Sequence, residues 1–220
     1  KDKDFMTLRI GHGSTKATFK IIAPRKSLEL EEDEYMTQIR QVVEECKYVN
    51  NVPITIDLHN HQSVGIIGNK EKRDRLTKNL IYQAAFHHNY DELKIILICD
   101  KDEANDYSFV KWLPHNYDDQ KSFRFFANDN TSSTSLLDKI AEVIEEREQI
   151  KTSNDLNNIK PYYLIVSTSK NLTLNHAISR KLTQLKPEIN IGTIFNYDRL
   201  NDLPNDCYFI CDMTNSPIMY

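Results

Sequence analysis

Long hydrophobic runs are missing from this chain. No window approaches the roughly 18 consecutive apolar residues that a membrane-crossing helix requires, and the opening "KDKDFMTLRI" is not followed by the apolar stretch of a secretory leader. A surplus of positive charge is missing too: 28 Lys and Arg stand against 32 Asp and Glu, a net charge of -4. Sequence-independent binding to nucleic acid needs a concentrated positive field, and this balance does not supply one. No internal repeat and no low-complexity tract is present. Cysteine is sparse, with Cys46, Cys99, Cys207 and Cys211 dispersed and three of them inside apolar stretches. They read as buried free thiols in a reducing compartment. Cys207 and Cys211, four apart on an extended segment, would lie about 13 Å from each other, too far for a disulfide or a shared metal. The chain opens on Lys1 rather than Met, which reads as a piece of a longer polypeptide.

What is there suits one folded domain. The 220 residues are 40% apolar, with eleven Tyr and nine Phe adding bulk to a core. "FMTLRIGHGSTKATFKII" alternates on both sides of "GHGS" and predicts a β-hairpin over residues 1–24. An acidic lead-in, Leu28 to Glu34, precedes a helix marked by Met36, Ile39, Val43 and Cys46. "VPITIDL" and "SVGIIG" read as strands separated by "HNHQ". After Gly68 a helix places Leu76, Leu80, Ile81 and Ala84 together. "ELKIILICD" is the most hydrophobic strand and belongs in the centre of a sheet, covered on both faces. The short strand "SFRFFA" precedes an amphipathic helix with Leu137, Ile140, Ala141 and Ile144 inward. "PYYLIVS", "LTLNHAISRKLTQL", "INIGTIF" and "CYFIC" read as strand, helix, strand, strand. Strands alternating with helices predict an α/β domain over residues 25–220: a RecA-like or Rossmann-like three-layer sandwich around a mostly parallel sheet.

The segment "SVGIIGNKEKRDRLTKNLI" has the strand, glycine turn and helix of a phosphate-binding loop, without the residues that hold phosphate. In G-x-x-x-x-G-K-[ST] the glycines let backbone N–H groups surround the phosphates, the Lys reaches the terminal ones and the hydroxyl binds Mg²⁺. With Gly68 in first position, Arg73 replaces the second glycine, Asp74 the lysine and Arg75 the hydroxyl residue. Asp74 would set a carboxylate against phosphate oxygens. Asn69, Lys70, Lys72 and Arg73 still leave a polar, basic turn, so weak anion binding stays open beside a plain solvated turn. The hydrolytic acid is absent as well, because "YYLIVSTSKN" ends in Ser167, Thr168 and Ser169 where ATPases place Asp.

"IDLHNHQ" offers a competing chemistry. Asp57, His59 and His61 alternate along an extended segment, a common start to a metal-hydrolase site. Further ligands at later strand ends are not evident; His115 and His176 lie outside acidic clusters, and His87 and His88 end a predicted helix. Surface histidines are the plainer alternative.

The order "LRIGHG", "VPITIDL…SVGIIGN", "LKIILICD", "FVKWLPHN" resembles the membrane ATPases of type VII secretion, the EssC/EccC family of FtsK/SpoIIIE type. The most specific piece is Lys111, Trp112, Leu113, Pro114 and His115. The resemblance spans nearly the whole chain. It implies a cytoplasmic segment between transmembrane helices and the first ATPase module, itself like a degenerate module. It implies no catalytic residue here, no resident cofactor (weak Mg-ATP binding left open), and no metal. The partners implied are adjacent ATPase modules, a hexameric homo-oligomer, other secretion-system components and, indirectly, exported WXG-type proteins, with no nucleic acid. Trp112, the single Trp, reads as a buried plug, or else as an anchor for a neighbouring module. The polar stretches 100–108 and 151–160 read as solvent-exposed loops or as interface.

Overall fold

The computed structural model describes residues 4–19, 21–22, 34–150, 159–214 and 218–219. The acidic lead-in before Glu34 and most of the loop at 151–160 lie outside the described residues. The chain divides into two units, one of Lys1–Leu8 with Ile56–Tyr220 and one of Arg9–Thr55.

The smaller unit corrects the expected hairpin and its boundary at residue 24. Strand β1 (Thr7–Lys16) runs straight through Gly11 and Gly13 and pairs with β2 (Tyr48–Asp57) in a two-stranded sheet. Neither glycine takes a positive φ. A Cβ on Gly13 would lie 3.0 Å from Ile54 Cγ1, so this glycine admits a side chain of β2 rather than making a turn. Alternation on both sides of "GHGS" was one strand, not two. Helix α1 (Glu34–Glu45) has no buried residue.

In the larger unit six strands run parallel and a seventh, at one edge, runs antiparallel, in the order β5-β4-β6-β7-β3-β8-β9. These strands are β3 (Ser63–Gly68), β4 (Leu93–Ile98), β5 (Phe126–Ala127), β6 (Tyr162–Ser167), β7 (Ile191–Asn196), β8 (Phe209–Met213) and β9 (Ile218–Met219). Every residue of β4 and β7 is buried, which is what a near-continuous apolar run requires of a strand covered on both faces. Helix α3 (Asn130–Glu148) sets Leu136, Leu137, Ile140 and Ile144 against Ile96, Ile98, Ile165 and Phe195. The alternate residues Ile95, Leu97, Leu164, Val166 and Ile194 are equally buried. Helix α2 (Lys70–His87) packs against β3, β4 and β7 through Leu76, Leu80, Ile81 and Ala84. The fold class is therefore the expected RecA-like α/β sandwich.

One expected helix is broken. "LTLNHAISRKLTQL" forms only α4 (Lys170–Leu174) and α5 (Ser179–Leu182). Between them the His176 ring accepts the Ile178 N–H at 3.3 Å, a local bond that competes with the helical ladder.

Candidate functional site

Strand β3 ends at Gly68 and α2 starts at Lys70, with Asn69 alone between them. A phosphate cradle is an arc of several residues whose N–H groups converge on the ligand. Here residues 70–75 are already helix, so Arg73, Asp74 and Arg75 stand on its first turns. Gly68 has φ +103°, and a Cβ there would lie 2.5 Å from Thr214 N and 2.7 Å from the Met213 carbonyl carbon. The close passage of the end of β8 is what requires a glycine at this position. The Gly68 N–H donates to the Asp198 carbonyl at 3.2 Å, and Asn69 Oδ1 accepts the Lys72 N–H at 3.2 Å, capping the helix.

The basic residues of the junction divide sharply. Lys72 and Arg75 are exposed, whereas Arg73 is 4% exposed. The Arg73 guanidinium donates to the Asn196 carbonyl at 3.1 Å and to Asn196 Oδ1 at 2.8 Å, and pairs with Asp198. Asp74 Oδ1 accepts from the Tyr107 hydroxyl at 3.2 Å and from Asn196 Nδ2 at 2.8 Å. Burial, reinforced by the charge of Asp74, pushes the Tyr107 hydroxyl well above its ordinary pKa, so it remains a donor. Lys70 pairs with Glu103 and, at 3.3 Å, with Asp74 Oδ2. Burial pulls the Lys70 ammonium down, but its bonds to the two carboxylates outweigh that and hold its pKa above the usual lysine range.

The end of β6 is closed in the same way. Ser167 Oγ lies 2.6 Å from Thr173 Oγ1 and 2.8 Å from the Tyr197 hydroxyl. Thr168 donates to Glu103 and Ser169 to Asp100, both at 2.6 Å. The polar stretch 100–108 is thus no plain loop: Asp100, Glu103 and Tyr107 reach back over the sheet, and Ala104 and Tyr107 are buried. Asn196, Asp198, Tyr107 and Glu103 escape a reading of spacing alone. The one available signal is polar "NYD" following the apolar strand "INIGTIF".

Asp57, His59 and His61 do not converge. Strand β2 ends at Asp57 and the next three residues form a turn, which breaks the period-two geometry. Asp57 Oδ1 accepts the N–H groups of His59 and Asn60, each at 3.0 Å. The ring of His59 meets Phe5 edge-on at 5.7 Å, while that of His61 stacks on Tyr208 at 3.8 Å. Among the described residues no group of three or more His, Cys, Asp or Glu could hold a metal ion.

In the "VKWLPH" segment the plug reading of Trp112 is overturned, because its side chain is 85% exposed. Val110 and His115 are the buried members. Lys111 Nζ sits 4.1 Å above the Phe126 ring, Leu113 is half-buried and Pro114 exposed. His115 Nε2 lies 2.8 Å from the His88 carbonyl, pinning the segment to the end of α2. The neighbouring Asn116 donates to the carbonyls of Ile95 and Phe125 at 2.9 and 2.7 Å.

No family model matches the chain. The ESX secretion system protein EccC of Geobacillus thermodenitrificans is 24% identical to it over 213 residues, 96% of this chain and 14% of that protein. The type VII secretion system protein EssC of Staphylococcus aureus is likewise 24% identical, over 214 residues, with the same two shares. The chain is a relative of the type VII secretion proteins EccC and EssC. A solved structure of EssC (ATPases 2 and 3) from Geobacillus thermodenitrificans superposes with a TM-score of 0.60 at 14% identity, covering 77% of this chain and 34% of that one. At that identity the likeness establishes the shared RecA-like fold and nothing finer. The chain spans about a seventh of the length of these curated relatives. Among the described residues no helix is long and apolar enough to cross a membrane.

Proposed function

We propose that the chain is a non-catalytic, ATPase-like module of a type VII secretion protein. It stands on the cytoplasmic side of the membrane and couples the membrane segment to ATPase modules carried elsewhere on the same polypeptide. The observation that carries this reading is the β3–α2 junction. One residue separates strand from helix, and the two basic side chains best placed to replace the missing lysine, Lys70 and Arg73, are held by Asp74 and Glu103 and by Asn196 and Asp198. The end of β6 adds support, since it presents bonded hydroxyls where hydrolysis needs a carboxylate on Mg²⁺ and water. Nucleotide held without turnover ranks second, because it would have to displace these same contacts.

In this reading the parent protein hydrolyses ATP at its other modules, assembles as a homo-oligomer with other secretion components, and exports small WXG-type proteins without this module binding nucleic acid. The test is thermal unfolding of the purified chain with and without millimolar Mg-ATP, ADP or plain phosphate. A bound ligand at 100 times its dissociation constant would add about 2.7 kcal/mol, a rise of roughly 5 to 10 °C for a domain of this size. The expected result is no nucleotide-specific rise. A rise with Mg-ATP that phosphate does not reproduce would restore a nucleotide pocket and overturn the reading.

A further inference from the structure

A strip of aromatic side chains, three exposed and one half-buried (Phe109), runs along α2 and the segment that follows β4. Tyr82 and Phe86 are four apart on α2 and so share one face; they are 53% and 85% exposed. Phe109 and Trp112 are three apart on a short 3-10 helix, Ser108–Trp112, and eclipse one another. Phe109 stacks on Tyr82 with ring centroids 4.6 Å apart. Six residues further along each element, His115 bonds the carbonyl of His88. The two elements therefore run side by side in the same direction between these fixed points, and Trp112 comes level with the turn that holds Phe86. The Tyr82–Phe109 stack thus sits at one end of the strip, and Phe86 and Trp112 continue it along their two elements.

Such a strip costs solvation and carries no load in the fold. The core beneath it is complete without it, since Leu80, Ile81, Ala84, Tyr107 and Val110 supply the buried face of the same elements. Contiguous exposed aromatics on a folded domain mark an interaction surface. Covering an aromatic side chain buries about 150–250 Å², so at these exposures the strip offers roughly 400–500 Å². A stable complex between two freely diffusing proteins needs about 800 Å² from each partner. The strip is therefore too small to hold a separate partner, but ample for one that is covalently tethered and so present at millimolar effective concentration.

We propose that the Tyr82–Phe86–Phe109–Trp112 strip is the seat of another domain of the same polypeptide. This rests on the reading of the chain as one module of a longer protein, and the length of its relatives supports it: the chain covers 14% of them. Trp112 and Phe86 are the anchors, being large, apolar and each 85% exposed, and at the other end of the strip Arg75 and Lys78 line a groove with Tyr82 and Asp106.

The experiment is site-specific photo-cross-linking in the full-length parent protein, with benzoylphenylalanine replacing Trp112 and, separately, Phe86. Both positions are exposed, so neither probe disturbs the core. The expected product migrates at the mass of a single polypeptide and maps to a peptide outside residues 1–220. Its yield at position 112 is lost when Phe86→Ser is added. A product of doubled mass would mean a second copy occupies the strip, and a link to a separate protein would mean an external partner; either overturns the proposal. A link confined to residues 1–220, or none, overturns it as well. Nucleotide-induced stabilisation of the purified chain would sink the non-catalytic reading without touching these outcomes, so the two failures are distinguishable.

Discussion

Asp74 shows how a single residue organises the β3–α2 junction. Its carboxylate satisfies both the Tyr107 hydroxyl and the Asn196 amide, and all three side chains are buried. Removing the carboxylate takes the acceptor from the buried Tyr107 hydroxyl, at a cost of about 1–3 kcal/mol, and leaves Asn196 Nδ2 only its longer bond to that hydroxyl at 3.3 Å. Arg73 acts through Asn196 more than through Asp198: Asp198 is 74% exposed, and an ion pair to an exposed carboxylate contributes little. Restoring the consensus loop should therefore fail. The triple variant Arg73→Gly, Asp74→Lys, Arg75→Thr is expected to melt roughly 5 °C or more below the native chain and to show no Mg-ATP shift, as calorimetry with and without nucleotide would read. The residues that would be restored sit on a helix, and the arc of backbone that holds phosphate is not there to receive them.

At the scale of elements, α3 is fixed at its far end by one arginine. Arg147 is 7% exposed; among the described residues its guanidinium donates not to a carboxylate but to the carbonyls of Ile189, Asn190 and Pro161 at 2.7, 3.2 and 2.8 Å. Burial pushes its pKa down to about 10, which still leaves it charged at neutral pH. The planar fork ties α3 to the starts of β6 and β7 by satisfying loop carbonyls there, of which that of Asn190 also accepts the Tyr163 N–H at 3.0 Å. Arg147→Ala is expected to cost roughly 3 kcal/mol. Arg147→Lys should recover less than half of that, because one ammonium cannot span three carbonyls. Denaturant midpoints of the two variants check both numbers. The apolar stripe of α3 was legible from spacing, but not Arg147, since an arginine in the last turn reads as a surface charge at the helix dipole.

At the scale of the whole molecule, two histidines link parts of the chain that are distant in sequence. His88 Nε2 accepts the Met6 N–H at 3.4 Å, and His115 Nε2 meets the His88 carbonyl at 2.8 Å. Burial holds the pKa of both below the ordinary 6.5. For His88 the nearby His87 and His115 add to the depression, while Glu92 and Asp4 oppose it; for His115 the His88 carbonyl opposes and Lys94 adds. The unfolded chain therefore binds protons first as pH falls. Stability is full above pH 6.5 and declines as pH drops from there toward the depressed folded values. The melting temperature should be lower at pH 5.0 than at pH 7.5, and His115→Gln should flatten that slope. An unchanged slope in the variant would remove His115 from the account.

The sequence by itself determined the α/β class, the central position of β4, the inward faces of α2 and α3, and the absence of a phosphate-loop lysine after Gly68 and of an acid at the end of β6. Each follows from short-range periodicity or from the presence of a residue type, which a linear reading captures. Tertiary structure decided which residues meet at the β3–α2 junction, because Asn196 and Tyr107 lie 122 and 33 residues from Asp74 along the chain and meet it only once the strands are ordered. It also decided that Gly11 and Gly13 lie within one strand, that the turn after Asp57 sends His59 and His61 to different neighbours, and that Trp112 faces outward. Exposure and convergence are properties of the packed surface, and no local pattern of residue types encodes them.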